Sequence, residues 1–178
     1  MATPAQPTLG RIQTFQALEH SWSCILAEAV GSRNLILLLV ATSRFGNWAL
    51  SALTALLLLT VHGPRVFGIY LTATVAGVVF QTAVKRISCR TRPCEQPGGP
   101  PQRVPIPDRG SFPSGHTLHA VMAAVYVTAL APVAAPFFIL VAVLMAASRV
   151  VLGVHYPTDV LAGGVLGALF AVVALSLI

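Results

Sequence analysis

Between Gly110 and Ser148 the chain carries no Asp, Glu, Lys or Arg, and three further windows, 45–64, 66–84 and 160–178, are equally free of them. A charge-free window of about 20 residues is long enough to cross about 30 Å of hydrocarbon as a helix. In lipid every backbone polar group must be satisfied within the segment, so such windows become helices that pack on one another. The whole chain bears this out in composition: 9% of its 178 residues are charged and the mean hydropathy is +0.80, against about 25% charged in ordinary soluble domains. The sequence therefore reads as an all-α integral membrane bundle.

Breakers place the spans. Trp48 to Val61 forms the first, His62-Gly63-Pro64 turns the chain, and Val66 to Val84 forms the second, ending on Lys85. Residues 88–112 hold six prolines and three glycines, through which no helix runs. The long charge-free run after them is divided at Ala131-Pro132 to Ala135-Pro136 into spans three and four, and Val160 to Ile178 makes a fifth, with Gly163, Gly164 and Gly167 allowing close packing. Residues 12–43 mix apolar positions with Glu19, His20, Glu28 and Arg33, and Gly31-Ser32 breaks them. They read as two short interfacial helices with Trp22 near the headgroups. The expected organisation is thus a polar N-terminus with interfacial helices over 1–43 and a five-span domain over 44–178. Met1 to Gln16 lacks the pattern of a cleaved secretory signal, so insertion is expected to rely on internal segments.

With so few charges, each needs a reason. Counting crossings from the second span puts Lys85, His116, Arg149 and Asp159 on one side of the membrane, so three clusters far apart in sequence converge at one surface. Lys85 closes a span and Arg92-Pro93 follows: a point charge and a fork that approach an anion from different directions. Ser114-Gly115-His116 opens span three, where free backbone N–H groups suit an anion. Arg149, His155 and Asp159 sit at the junction of the last two spans, with Pro157 suited to a first helical turn. His155 is either an interfacial polar residue or a nucleophile whose tautomer Asp159 fixes. Seven of the eleven basic residues, Lys85, Arg86, Arg90, Arg92, Arg103, Arg109 and Arg149, lie at helix ends or between apolar blocks. That clustering fits either a positively charged loop or a concentrated anionic ligand such as phosphate, and not a tail that binds nucleic acid. Cys24, Cys89 and Cys94 have no zinc-ligand spacing; Cys89 and Cys94 are free thiols or, in an oxidising compartment, a disulfide.

Lys85 with Arg92-Pro93, then Pro113-Ser114-Gly115-His116, then Ser148-Arg149 with His155 and Asp159 resemble the three signature motifs of the type 2 phosphatidic acid phosphatase superfamily, in order and in internal spacing. The resemblance covers roughly 45–178. It implies that Lys85, Arg92 and Arg149 bind phosphate oxygens together with Ser114 and the backbone of Gly115 and His116. It further implies that His155 is the nucleophile, Asp159 its partner and His116 the general acid and then base. No metal or other cofactor is implied. Arg86, Arg90, Arg103 and Arg109 fall outside the motifs, and His119 is expected to face a pore or to pack between helices.

The implied activity is removal of a terminal phosphate from a membrane lipid through a phosphohistidine. Polyprenyl diphosphate or a polyprenyl-linked sugar phosphate ranks first, by resemblance to compact bacterial members, and phosphatidylglycerol phosphate or phosphatidic acid next. The rivals are a lipid phosphotransferase using the same site and a non-catalytic anion channel or transporter. Larger family members carry an extra span before the matched part, where this chain offers only residues 12–43. If those lie flat, Arg33 and Arg44 share the side of the site, which by the positive-inside rule favours the cytoplasm; the resemblance favours an outward-facing site, which is the expectation retained. The proline-rich loop before His116 is expected to shape the entrance.

Overall fold

The chain reverses at Gly63, which takes φ 81° and ψ −176° inside an otherwise continuous helix. Only glycine adopts that backbone without strain, and Pro64 then starts the returning arm, where its missing N–H costs nothing. The computed structural model describes residues 7–106 and 108–178, and side chains from residue 14 onward except Asn47 and Pro107. The polar stretch read at Met1 to Gln16 lies partly outside this, since residues 1–6 are not described.

Five α-helices are assigned among the described residues: α1 (Pro7–Ala29), α2 (Arg33–Ser88), α3 (Gly115–Leu130), α4 (Ala135–Val151) and α5 (Pro157–Leu175). Because α2 holds two arms, 33–62 and 64–88, the bundle has five packed segments after α1. The arms are antiparallel: Leu58 packs with Val66 and Tyr70 near the turn, and Trp48 and Ser51 share a cavity wall with Gln81 and Lys85 at the other end. A helix stands at each expected span, and three stretches among the described residues are long and apolar enough to cross a membrane: Trp48–Glu95, which holds the latter half of the first arm and all of the second, Pro132–Val151 and Pro157–Leu175.

Span three differs from the others. At 16 residues α3 is about 24 Å long, short of about 30 Å of hydrocarbon. It is the central helix, with Leu118, Ala120, Met122, Ala123, Tyr126 and Val127 essentially inaccessible, so its neighbours rather than lipid surround it. Apolar burial supplies little net drive between helices in lipid, and close backbone approach takes its place. Gly163 and Gly167 of α5 provide it: a Cβ at these positions would stand 2.4 Å from the Ser114 carbonyl oxygen and 2.2 Å from that of Leu118. Gly164, also expected to allow close packing, meets nothing nearer than 3.8 Å. Gly167→Ala is therefore expected to destabilise the bundle by about 3 kcal/mol, whereas Gly164→Ala is neutral or mildly stabilising. Thermal unfolding of both variants in detergent checks the contrast.

The N-terminal part departs from the sequence expectation. Residues 33–43 are not a separate flat helix but the opening turns of α2, capped by Ser32 and bent by 118° from α1. The physical reason is a partner: Ile36, Leu39 and Val40 pack with Val104, Leu152 and Val154, so one face of the extension is covered while Leu35, Leu37 and Leu38 stay exposed. Cys94 N–H and Arg103 N–H donate to the carbonyls of Gly153 and Leu152 at 3.0 and 3.5 Å, which pins that segment over the α4–α5 junction. Ser43 accepts a bond from Arg149, so the first arm passes the predicted site at that level. At the opposite end, the Nε2 atom of His62 bonds the Leu130 carbonyl at 2.7 Å and Arg65 donates to that of Leu177. All three cysteines are free thiols.

Candidate active site

His155 occupies the turn between α4 and α5. Its backbone N–H donates to the Arg149 carbonyl at 3.1 Å as α4 ends, and its side chain is buried. Pro157 opens α5, which places Asp159 in the first turn. The predicted site residues come together: Lys85 from the end of α2, Arg92 from the segment after it, Ser114 to His116 from the start of α3, Arg149 from the end of α4, then His155 and Asp159. Lys85, Arg92, Ser114, Arg149, His155 and Asp159 are all under 9% exposed. Six polar or charged side chains sequestered at one end of an apolar bundle form a built site.

The guanidinium of Arg92 organises its centre. One terminal nitrogen donates to the Val154 carbonyl at 2.8 Å and lies 3.3 Å from Nε2 of His155. The other donates to Oδ1 of Asp108 at 2.7 Å and to the Gly110 carbonyl at 2.9 Å. Gly110, at φ 81°, turns its carbonyl toward that guanidinium in a conformation other residues resist. An arginine only donates, so Nε2 of His155 is the acceptor and the imidazole proton sits on Nδ1. Nδ1 in turn stands 3.5 Å from Oδ2 of Asp159. That is ion-pair distance, but the expected hydrogen bond is not formed in this arrangement, and Nδ1 has no hydrogen-bond partner. The Nε donors of Arg92 and Arg149 are likewise buried and unpartnered. Two free guanidinium donors beside an imidazole whose lone pair faces Arg92 can receive a tetrahedral anion.

Burial, then the charges of Arg149, Arg92 and Lys85, hold the His155 imidazole well below the usual histidine value, with Asp108 opposing. The neutral form is the nucleophilic one, so the shift keeps His155 competent in mild acid. The expected result is that His155 stays neutral at pH 5.5, about one unit below the ordinary value of about 6.5. Nitrogen shifts of histidine-labelled protein in detergent read this directly; an imidazolium signal at that pH would contradict it.

Four participants escaped the sequence reading. Asp108 bridges two of the cations, with Lys85 Nζ at 2.5 Å and Arg92 at 2.7 Å; its carboxylate takes up the position of an anionic ligand. Arg90, expected outside the site, donates to Oδ1 of Asp159 at 2.6 Å and to Glu19, while stacked 4.2 Å over Tyr156. Glu19, on α1 and buried, also accepts from Thr158 N–H at 3.0 Å and from its hydroxyl. Ser43 holds Arg149. The missed signal was scarcity: with five acids in the chain, each buried one demanded a named partner. Ser114 is placed as expected at the start of α3, with its hydroxyl 3.0 Å from that of Thr117. The first-turn N–H groups of Gly115 and His116 then have no intrahelical partner. Arg86 and Arg109 are exposed, and Arg103 bonds the Val151 carbonyl. A larger recess of about 760 Å³ lies beside α1 over Arg90 and Tyr156 without reaching Lys85, His116 or His155.

The PAP2 superfamily model matches residues 66–178. The chain is 43% identical over 93 residues to a decaprenylphosphoryl-5-phosphoribose phosphatase of Mycolicibacterium smegmatis, covering 51% of this chain and 46% of that protein. It is 33% identical over 133 residues to an undecaprenyl-diphosphatase of Sulfolobus acidocaldarius, covering 74% and 65%. It thus spans about half to two-thirds of the length of these relatives. Among solved structures it is similar to a transmembrane PAP2-type phosphatidylglycerolphosphate phosphatase of Bacillus subtilis, with TM-score 0.75 and 21% identity over 92% of this chain and 86% of that one. It is also similar to the LpxE protein of Aquifex aeolicus, with TM-score 0.70 and 22% identity over 85% and 92%. The last two likenesses speak to the fold.

Proposed function

The chain belongs to the PAP2 superfamily, and from that premise we propose that it is a membrane phosphatase that removes a terminal phosphate from a lipid by way of His155, without a metal. The single observation that carries the reading is the orientation of His155: Nε2 accepts from Arg92, and the cations Lys85, Arg92 and Arg149 surround it.

The Arg92 N–H turns from Nε2 to an oxygen of the incoming phosphate, the freed lone pair of Nε2 attacks phosphorus, and the bond from phosphorus to the leaving oxygen breaks. His116 gives that oxygen a proton, releasing the alcohol or the shortened phosphate. The phosphoryl group remains on His155, with Asp159 facing the Nδ1–H of the imidazole as it becomes positive. His116 then takes a proton from water, the water oxygen attacks phosphorus, and the nitrogen–phosphorus bond breaks to give inorganic phosphate. Arg92, Arg149, Lys85 and the N–H groups of Gly115 and His116 stabilise the charge spread over the equatorial oxygens.

The substrate class follows from the relatives and from the position of the site at one end of the bundle, where a lipid presents its headgroup with its tails in the bilayer. Polyprenyl-linked phosphates and diphosphates come first, then phosphatidylglycerol phosphate and phosphatidic acid, with the site facing outward. The test is phosphate release by the purified chain in detergent with excess chelator across these lipids and a water-soluble ester. Release from one lipid class, unchanged by chelator, is expected; a rate that collapses with chelator overturns the metal-free reading.

Asp108 adds a measurable consequence. An incoming phosphate displaces its carboxylate from Lys85 and Arg92, so Asp108→Asn is expected to lower KM roughly threefold, a modest effect because the carboxylate is nearly half exposed and screened. Steady-state kinetics of the variant checks the sign; a higher KM would mean that Asp108 serves to position the cations.

A further inference from the structure

Between the two arms of α2 and the first turns of α3 lies a cavity of about 100 Å³ that adjoins the site through Lys85, Gly115 and His116 and whose remaining polar wall the chemistry above does not use. Lys85 and His116 form part of its wall, so it opens onto the space where the leaving oxygen departs. Ser51, Thr74, Gln81 and His119 form much of the rest, and the exposed indole of Trp48 stands at its rim. His119 is 8% exposed, and both its ring nitrogens lack a hydrogen-bond partner, as does Oε1 of Gln81. Orphaned polar atoms are costly to bury, and three around one cavity call for a ligand that satisfies them.

The sequence makes room for these two side chains. A Cβ at Gly115 would sit 1.8 Å from Oε1 of Gln81, and one at Gly77 would press on His119 at 3.4 Å and on Leu118 at 3.1 Å. Each polar side chain thus crosses the α2–α3 contact opposite a glycine of the other helix, and both reach the same cavity.

The donor and acceptor inventory of the wall selects the ligand. A glutamine amide and an imidazole each offer both a donor and an acceptor, as does the hydroxyl of Ser51, while that of Thr74 donates to the Tyr70 carbonyl and offers an acceptor. Apart from the two histidines, Lys85 is the one ionisable group among the lining residues. A second phosphate or an acyl ester brings acceptors alone and leaves Oε1 of Gln81 and one nitrogen of His119 without a donor; a hydroxyl group both donates and accepts. We infer that this cavity is a subsite for hydroxyl groups on the leaving alcohol, read by Gln81 and His119. The favoured substrate is then a phosphate monoester of a sugar or other polyol carried by a lipid, rather than a lipid diphosphate. The inference rests on the phosphatase reading and names the substrate within it.

The test compares kcat/KM for a polyprenyl-linked sugar phosphate and a polyprenyl diphosphate of the same chain length, using the full chain in detergent, its Gln81→Met variant and its His119→Phe variant. The wild type is expected to favour the sugar phosphate at least tenfold, and each variant to lower that ratio by about tenfold, the worth of one lost hydrogen bond. Both substrates are measured on the same sample, so any loss of folded protein cancels in the ratio. A wild type that favours the diphosphate, or variants that lower both substrates in parallel, would overturn the subsite and leave the phosphatase reading standing; a cavity that holds only water gives the second of these results. Folded wild type that turns over neither of these removes the subsite, and the phosphatase reading goes with it if phosphatidylglycerol phosphate and phosphatidic acid are not hydrolysed either.

Discussion

His155→Ala is expected to lower phosphate release by ~10⁴-fold or more while leaving a folded bundle. The proposed nucleophile has no substitute in place: His116, the proposed proton donor, stands on another helix, and His119 faces the cavity between α2 and α3. Removing the imidazole withdraws one acceptor from Arg92, but that guanidinium keeps the carbonyls of Val154 and Gly110 and the Asp108 carboxylate. The packing of α3 against α5 does not involve His155, so thermal unfolding should shift little. Lipid binding should persist, because Lys85, Arg92 and Arg149 remain. A variant that still releases phosphate at a tenth of the wild-type rate would place the chemistry elsewhere.

Arg92→Lys keeps the charge and is nevertheless expected to lower kcat/KM by ~10³-fold. The guanidinium reaches the Val154 carbonyl and His155 with one nitrogen, and Asp108 and the Gly110 carbonyl with the other. It therefore ties the α4–α5 turn to the segment before α3 while directing a donor at the nucleophile. A lysine ammonium is a single point with three donors and cannot span both segments. The loss should fall on kcat as well as KM, since the fork sets the tautomer of His155 in addition to holding phosphate. A change below tenfold would show that Arg92 acts only as a charge.

Scarcity made the bundle and half of the site legible. Lys85, Arg149 and Asp159 interrupt apolar runs at helix ends, and Pro64, Pro136 and Pro157 stand where helices restart, so the convergence of Lys85, His116, Arg149 and Asp159 follows from counting crossings. The contacts among those residues with distant partners did not follow. Glu19 meets Arg90 across 71 positions of sequence, and nothing in its own neighbourhood marks it as buried. Asp108 sits in a segment of prolines and glycines where no periodicity locates a side chain. Residues 33–43 carry polar positions that suit an interface, yet their apolar face is covered by Val104 and Leu152, a packing choice made by a loop. Gly163 and Gly167 were distinguishable from Gly164 only once α3 was beside them. Local pattern sets the helices; the carboxylate partners and the loop cover are decided by what the folded chain brings near.

The central claim is that phosphate passes through His155. The most direct measurement is rapid quenching of the purified chain with lipid substrate labelled in its terminal phosphate, followed by peptide mapping of the bound label. The account predicts an acid-labile, alkali-stable phosphoryl group on the peptide that contains His155 and its absence in His155→Ala. Label on any other residue, or on the chain when His155 is gone, would contradict it.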